Sequence, residues 1–357
     1  LGELLAAEVP AHTGLLRHKY DFAVLWRLSR LMGRRQIDAV VTVGTGGDKM
    51  FWGRLAAWLA GVPVICSALH STGLPDHVEW PNRLLEPLTD AFIGVARPHG
   101  RYLVEHEGCP AAKVRVIPNG VDVERFHPRW VDPALRGALG LEPEQPVVGI
   151  VAALRPEKNH ELFLQTAAKV HAQVPQARFL VIGDGPRRAA LEAMRDELAL
   201  GDVVRFLGTR SDVPELLALL DVLLLTSHME ANPVSILEAM ASETPVVATR
   251  VGSVPETVRH GQTGYLVEPG DAEAMAEDVL RLLAEPHVAA AMGRAGREEV
   301  LARWSVAAMV DGYQELIDGI YRDKLPRAGR AARPEEAASQ PGIVPNGPSS
   351  TPSQPDV

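Results

Sequence analysis

The stretch VLLLTSHMEANPVSILEAMASETPVVAT, residues 222–249, decides how this chain is read. It opens on a run of Val and Leu with no polar alternation, as a strand buried on both faces of a parallel sheet reads. A second such run, residues 245–249, closes it. Between them Val234–Ala241 has helical spacing, entered through Asn232-Pro233. Asn is a favoured helix cap, and Pro is favoured at the first helical position, where no N–H is needed. Strand, helix and strand make one βαβ unit, so the helix begins at the carboxyl end of a parallel strand. The N–H groups of Val234 and Ser235, with the positive end of the helix dipole, then form an anion site. Two carboxylates flank it, Glu230 in the loop and Glu238 in the second turn. Carboxylates are poor phosphate ligands but good acceptors from vicinal hydroxyls, so the pattern suits a diphosphate with a sugar on each side. Spacing alone leaves another reading open, with Glu230 solvating a loop and Glu238 a surface charge.

The same alternation of apolar runs and helical patterns extends through the 357-residue chain in both directions. Upstream, strands are expected at residues 39–43, 63–66, 91–95 and 114–117, and a helix at 21–34 with Phe22, Leu25, Leu28 and Met32 on one side. That helix also carries Arg27, Arg30 and Arg34. They read as a solvated basic face or as a contact with a membrane surface. Residues 122–145, with Pro128, Pro133 and Pro143, read as a linker. Strands follow at 147–152, 178–182, 203–206, 222–226, 245–249 and 265–267, and helices at 272–284 and 305–322. The expected fold is α/β, two facing doubly wound Rossmann-like domains, with ligands at the carboxyl ends of the strands in the cleft between them. The division reads as an incomplete amino-terminal domain, 1–130, a second domain, 131–304, and a helix, 305–324, packing back on the first. Residues 325–357, rich in Pro, Ser, Gly and Ala, read as a disordered tail.

Composition narrows the function. With 46% hydrophobic and 23% charged residues the chain is a globular protein, and its net charge of −9 argues against nucleic acid as a partner. Only two cysteines occur, Cys66 and Cys109, so a reducing, cytoplasmic setting is expected. The uncharged run around residues 55–69 is broken by Gly61 and Pro63 and reads as helix, turn and strand rather than a membrane span. No signal peptide is read, and the start at Leu1 reads as that of a fragment. Gly44–Met50, GTGGDKM, lacks the spacing of a P-loop, and HELFL at His160 has Leu164 where a zinc protease motif needs a second His. No two aspartates are separated by a single residue, so the D-x-D metal element is missing, and no metal is expected.

As a set, these segments resemble the retaining family 4 glycosyltransferases of GT-B fold. EANPVSILEAMA is similar to their E-x7-E motif, VAALRPEKNHELFL to their basic loop, VIGDGP to the next strand and turn, and FLG to the base-binding turn. VIPNGVDVERF resembles their interdomain element, and VGSVPETVRHGQTGYLVEPGD the segment after the E-x7-E helix. The resemblance implies that Glu230 meets the donor sugar, Glu238 the nucleotide ribose, and Lys158 the donor diphosphate. Leu207 and Gly208 would hold the base through backbone groups, and Asn232, Pro233, Val234 and Ser235 would line the phosphates. His70, in SALHSTG, matches the histidine that approaches the transferred sugar. Relatives carry an Arg five residues before the Lys, where this chain has Ala153; Arg155 is expected to take over that phosphate contact. Ala231 stands where Gly is usual. The family's first strand and Gly-rich loop, roughly 50–60 residues or two βα units, precede anything read here.

The implied activity is metal-independent, retaining hexosyl transfer from a UDP-, GDP- or ADP-sugar to a glycan or lipid-linked acceptor, as in polysaccharide biosynthesis. The donor is a substrate, and no cofactor is expected. The setting implied is cytoplasmic, with peripheral membrane contact through the first domain at the inner face. Two alternatives remain at this level: a nucleotide-sugar-binding fragment with little catalysis, and a sugar-nucleotide epimerase of the same fold.

Overall fold

The computed structural model describes residues 10–18, 21–44, 48–69 and 83–324. His70 and the tail 325–357 lie outside these residues. The first half is built on α1 (Ala23–Arg35), β1 (Ala39–Gly44), α2 (Asp48–Leu59), β2 (Val64–Leu69), β3 (Ala91–Gly94), α3 (Arg97–Glu105) and β4 (Val114–Val116). Its four strands form one parallel sheet in sequence order. The second half continues with α4 (Pro133–Ala138), β5 (Val147–Val151), α5 (His160–Gln173), β6 (Arg178–Ile182), α6 (Arg188–Glu197), β7 (Val204–Gly208) and α7 (Val213–Leu219). Then come β8 (Val222–Leu225), α8 (Val234–Ala241), β9 (Val246–Thr249), α9 (Val254–Thr257), β10 (Gly264–Val267), α10 (Ala272–Ala284), α11 (Pro286–Arg303) and α12 (Val306–Lys324).

The second sheet is parallel throughout, in the order β10-β9-β8-β5-β6-β7. Strands β8, β9 and β10 are buried along their whole length, as their continuous Val/Leu runs demand. Two apolar clusters cover its faces, one gathered around α8 and Leu216–Leu220, the other around α5 and α10. The order reverses between β5 and β8, which pair directly through Val148–Val222 and Gly149–Leu223. Such a reversal opens a crevice at the carboxyl ends of the two strands.

Residues 122–145 are not a bare linker. Asp132 accepts a hydrogen bond from Ala134 N–H at 2.8 Å and starts α4, with Pro133 in the first turn. Phe126, Leu139 and Leu141 are buried in the second sheet's core. The prolines that read as a break serve here as a helix start. The helix α11 was likewise not separated from its neighbours by pattern, because its buried face includes Gly293 and Gly296, which leave no apolar stripe.

The chain crosses between the halves twice, and the crossings lie side by side. Val121 N–H donates to the Trp304 carbonyl at 2.8 Å, and Val306 N–H to the Val121 carbonyl at 2.9 Å. Gly120 is needed for this approach, since a Cβ there would stand 2.4 Å from the Ser305 carbonyl oxygen. From the second crossing α12 runs back over the first sheet. Met309, Tyr313, Leu316, Ile317 and Ile320 pack on Val64, Cys66, Ala91 and Ile93. Lys324 ends the helix on Asp90 at 2.6 Å and on the Pro63 carbonyl at 2.7 Å.

Candidate active site

The crevice at the β5–β8 reversal is lined by the loops that follow these two strands. After β5 the chain passes Arg155 into a single 3-10 turn, Pro156–Lys158, and Asn159 then takes a left-handed conformation (φ 47°) to launch α5. After β8 it passes Thr226 and Ser227 to Glu230 and α8. The loops are laced together. Thr226 Oγ1 donates to the Lys158 carbonyl at 2.9 Å, and His228 N–H to the Glu157 carbonyl at 2.9 Å. Thr249, from the end of β9, donates its hydroxyl to the Ser227 carbonyl at 2.7 Å.

This lacing brings Lys158 and Glu230 into contact. Lys158 Nζ lies 2.6 Å from Glu230 Oε1, and Ser227 Oγ donates to the same oxygen at 2.6 Å. The Glu230 side chain is 7% exposed and that of Lys158 25%. So deep a carboxylate is held only because charge and hydrogen bond offset its desolvation. Both bonds fall on Oε1, which leaves Oε2 as the acceptor without a partner among the described residues. A second constraint fixes the Glu230 backbone. Gly252 (φ 50°) passes so close that a Cβ would stand 1.8 Å from the Glu230 carbonyl oxygen.

Helix α8 starts one residue later than its sequence suggests. Pro233 (φ −72°, ψ 112°) occupies the cap position and Val234 is the first helical residue. Asn232 does not cap; its carbonyl accepts from Asn119 Nδ2 of the first half at 3.1 Å. Its own side chain is 6% exposed, with neither Oδ1 nor Nδ2 bonded among the described residues. No side chain caps α8, so the N–H groups of its first turn, at Val234 and Ser235, are left open. Glu238 lies one turn beyond Val234 on the same helix face. Burial pushes its carboxyl above the ordinary range, and Arg125 offsets this in part.

The other expected residues are more dispersed. Arg155 is at the rim, 62% exposed and 4.0 Å from Glu157. Leu207 and Gly208 end β7, two strands from β5, and the Gly208 carbonyl is bonded by Gly183 N–H at 2.9 Å. The structure therefore joins Lys158 to Glu230 directly, sets the α8 terminus beside them, and leaves Arg155, Leu207 and Gly208 without direct contact to that pair. Ser227, Thr226, Thr249 and Gly252 were not singled out from sequence. The Thr-Ser pair closing a buried strand was a usable signal for the first two; nothing local marked the others.

Two family models match. Glycosyltransferase Family 4 covers residues 4–125 and Glycosyl transferases group 1 covers residues 131–299. The chain is 31% identical over 313 residues to a GDP-mannose-dependent alpha-(1-6)-phosphatidylinositol monomannoside mannosyltransferase of Mycolicibacterium smegmatis, covering 83% of this chain and 74% of that protein. It is 28% identical over 309 residues to the N-acetyl-alpha-D-glucosaminyl L-malate synthase of Bacillus anthracis, covering 85% and 80%. Among solved structures, Anabaena HepE in complex with UDP-glucose superposes with a TM-score of 0.77 at 22% identity, covering 89% of this chain and 88% of that one.

Proposed function

Since the chain belongs to the family 4 glycosyltransferases and has their GT-B fold, we propose that it transfers a hexosyl group, with retention, from a nucleoside-diphosphate sugar to a glycan or lipid-linked acceptor. The observation that carries this reading is the meeting of Lys158 and Glu230 beside the uncapped α8 terminus, at the reversal of the second sheet. The diphosphate sits against the α8 N–H groups of Val234 and Ser235, and Lys158 turns from Glu230 toward it. Arg155, exposed at the rim, adds a second cation. Glu230 offers Oε2 to hydroxyls of the donor sugar, and Glu238 accepts from the ribose. The base reaches Leu207-Gly208, three strand spacings or about 14 Å from β8. His70 approaches the transferred sugar by family resemblance.

In the proposed reaction the acceptor oxygen bonds to the anomeric carbon on the face from which the diphosphate leaves. The bond from that carbon to the leaving phosphate oxygen breaks, and that oxygen takes the acceptor's proton. The chain's part is orientation and stabilisation of the developing phosphate charge, which Lys158, Arg155 and the helix end supply without a metal. The GDP-mannose dependence and the UDP-glucose complex among relatives support a nucleotide-sugar donor. A peripheral site at the inner face of the membrane is in keeping with α1, where Trp26 is exposed beside Arg30 and Phe22 is exposed at the helix start. Among the described residues no helix is long and apolar enough to cross a membrane.

Titration with UDP-, GDP- and ADP-sugars tests the reading, with turnover of the tightest donor followed with and without acceptor. One base is expected to bind well above the others. Lys158→Ala is expected to lower kcat by about 100-fold with little change in acceptor KM. Equal turnover would remove Lys158 from its role. Binding without transfer would favour a donor-binding fragment, and donor conversion without acceptor an epimerase.

A further inference from the structure

The halves also touch at a helix end. Helix α3 begins at Arg97, and its cap residue Ala96 has no side chain to offer the first-turn N–H groups. Glu256 of α9, 159 residues on, takes that place: its Oε2 accepts from Arg97 N–H at 3.2 Å. A carboxylate at this position answers both the open N–H and the positive end of the helix dipole. The turn that carries Glu256 is the one packed on the donor loop. Ser253 N–H reaches the Glu230 carbonyl at 3.4 Å, and Gly252 fits only because it lacks a Cβ. Ser253 and Val254 are buried, so the turn has little freedom between its two contacts. One short element thus touches the backbone of Glu230 at one end and the first half's helix at the other.

We propose that Glu256 is a positioning residue that holds the first domain over the donor site by capping α3 across the cleft. The inference rests on reading that site as the donor site. The cap has to form when the halves close and break when they open, so it biases the closed arrangement without touching donor or acceptor.

The test needs a variant on each side of the bond. Glu256→Ala removes the acceptor and Glu256→Gln keeps an uncharged one. Arg97→Pro removes the donor N–H. Proline is favoured at a first helical position, and Ala96 is already extended (φ −161°, ψ 163°), as a residue before proline must be. Double electron–electron resonance on the full chain reads closure, with labels at Arg101→Cys and Gln262→Cys in a Cys109→Ser background. Glu256→Ala and Arg97→Pro are each expected to lower the closed-to-open ratio about two- to fivefold. Glu256→Gln should fall between them and wild type, and the double variant should lose no more than either single one. A distance distribution unchanged in Glu256→Ala would overturn the proposal, as would single effects that simply add. If Arg97→Pro disturbs α3, Glu256→Ala against Glu256→Gln decides alone. Titration of the same wild-type sample with UDP, GDP and ADP keeps the two readings apart. Failure to bind any of them overturns the donor site, whereas the distance result judges Glu256.

Discussion

Glu230 shows how far a candidate site residue is set by the side chains packed against it. Ser227 and Lys158 share its Oε1, so the direction in which Oε2 faces depends on a buried hydroxyl that spacing arguments passed over. Ser227→Ala removes a hydrogen bond to a charged acceptor and is expected to raise the donor Kd about tenfold, measured by calorimetric titration. His160, next to Asn159, has a different weakness. It is 1% exposed, neither ring nitrogen is bonded among the described residues, and burial pushes its pKa down to about 4 from 6.5. Between those values the unfolded chain takes up a proton that the native chain refuses, so stability falls as pH drops through this window. The loss by pH 4 is expected to be on the order of 3 kcal/mol. Denaturant unfolding at pH 7 and pH 4.5 should show it in the wild type and show much less in His160→Gln.

At the scale of elements, the loops after β5, β8 and β9 form one unit held by Thr226, Thr249 and Gly252. Gly252→Ala drives a Cβ into the Glu230 carbonyl at a left-handed φ, so backbone and not a flexible side chain must yield. A loss of about 3 kcal/mol or more is expected in chemical denaturation, together with weakened nucleotide binding. Most strands were legible in their β-branched and Leu runs. The expected 178–182 strand and 272–284 helix coincide with the observed β6 and α10. The start of α8 was legible to within one residue, but the bond to the Asn232 carbonyl from Asn119, 113 positions away, was not. The helix inside residues 122–145 was missed because prolines were weighed as breakers when Asp132-Pro133 is a helix start.

At the scale of the molecule, α12 is the strap. It leaves the second half beside Val121 and lays Met309, Tyr313, Leu316, Ile317, Ile320 and Tyr321 on the first sheet, which has four strands among the described residues. Truncation after Ser305 uncovers that sheet and is expected to cost it roughly 5 kcal/mol of apolar burial. Hydrogen exchange should then show the amides of β1–β4 losing protection while those of β5–β10 keep theirs. The same strap ties the first half to the second beside Val121, and the halves meet again where Arg97 bonds Glu256.

What residues 222–249 and their counterparts determined alone is the local alternation of strand and helix, the helix end proposed to hold the diphosphate, and the two acids near it. All of these are written in residues within a few positions of one another, through propensity, capping and periodicity. The tertiary structure decided which strands are neighbours. By placing β8 against β5 it brought Glu230 to Lys158 across 72 residues. Periodicity records that a strand is buried and says nothing of what buries it. For that reason Gly252 and Glu256, whose parts depend on a backbone or helix end arriving from elsewhere in the chain, became visible only in the folded molecule.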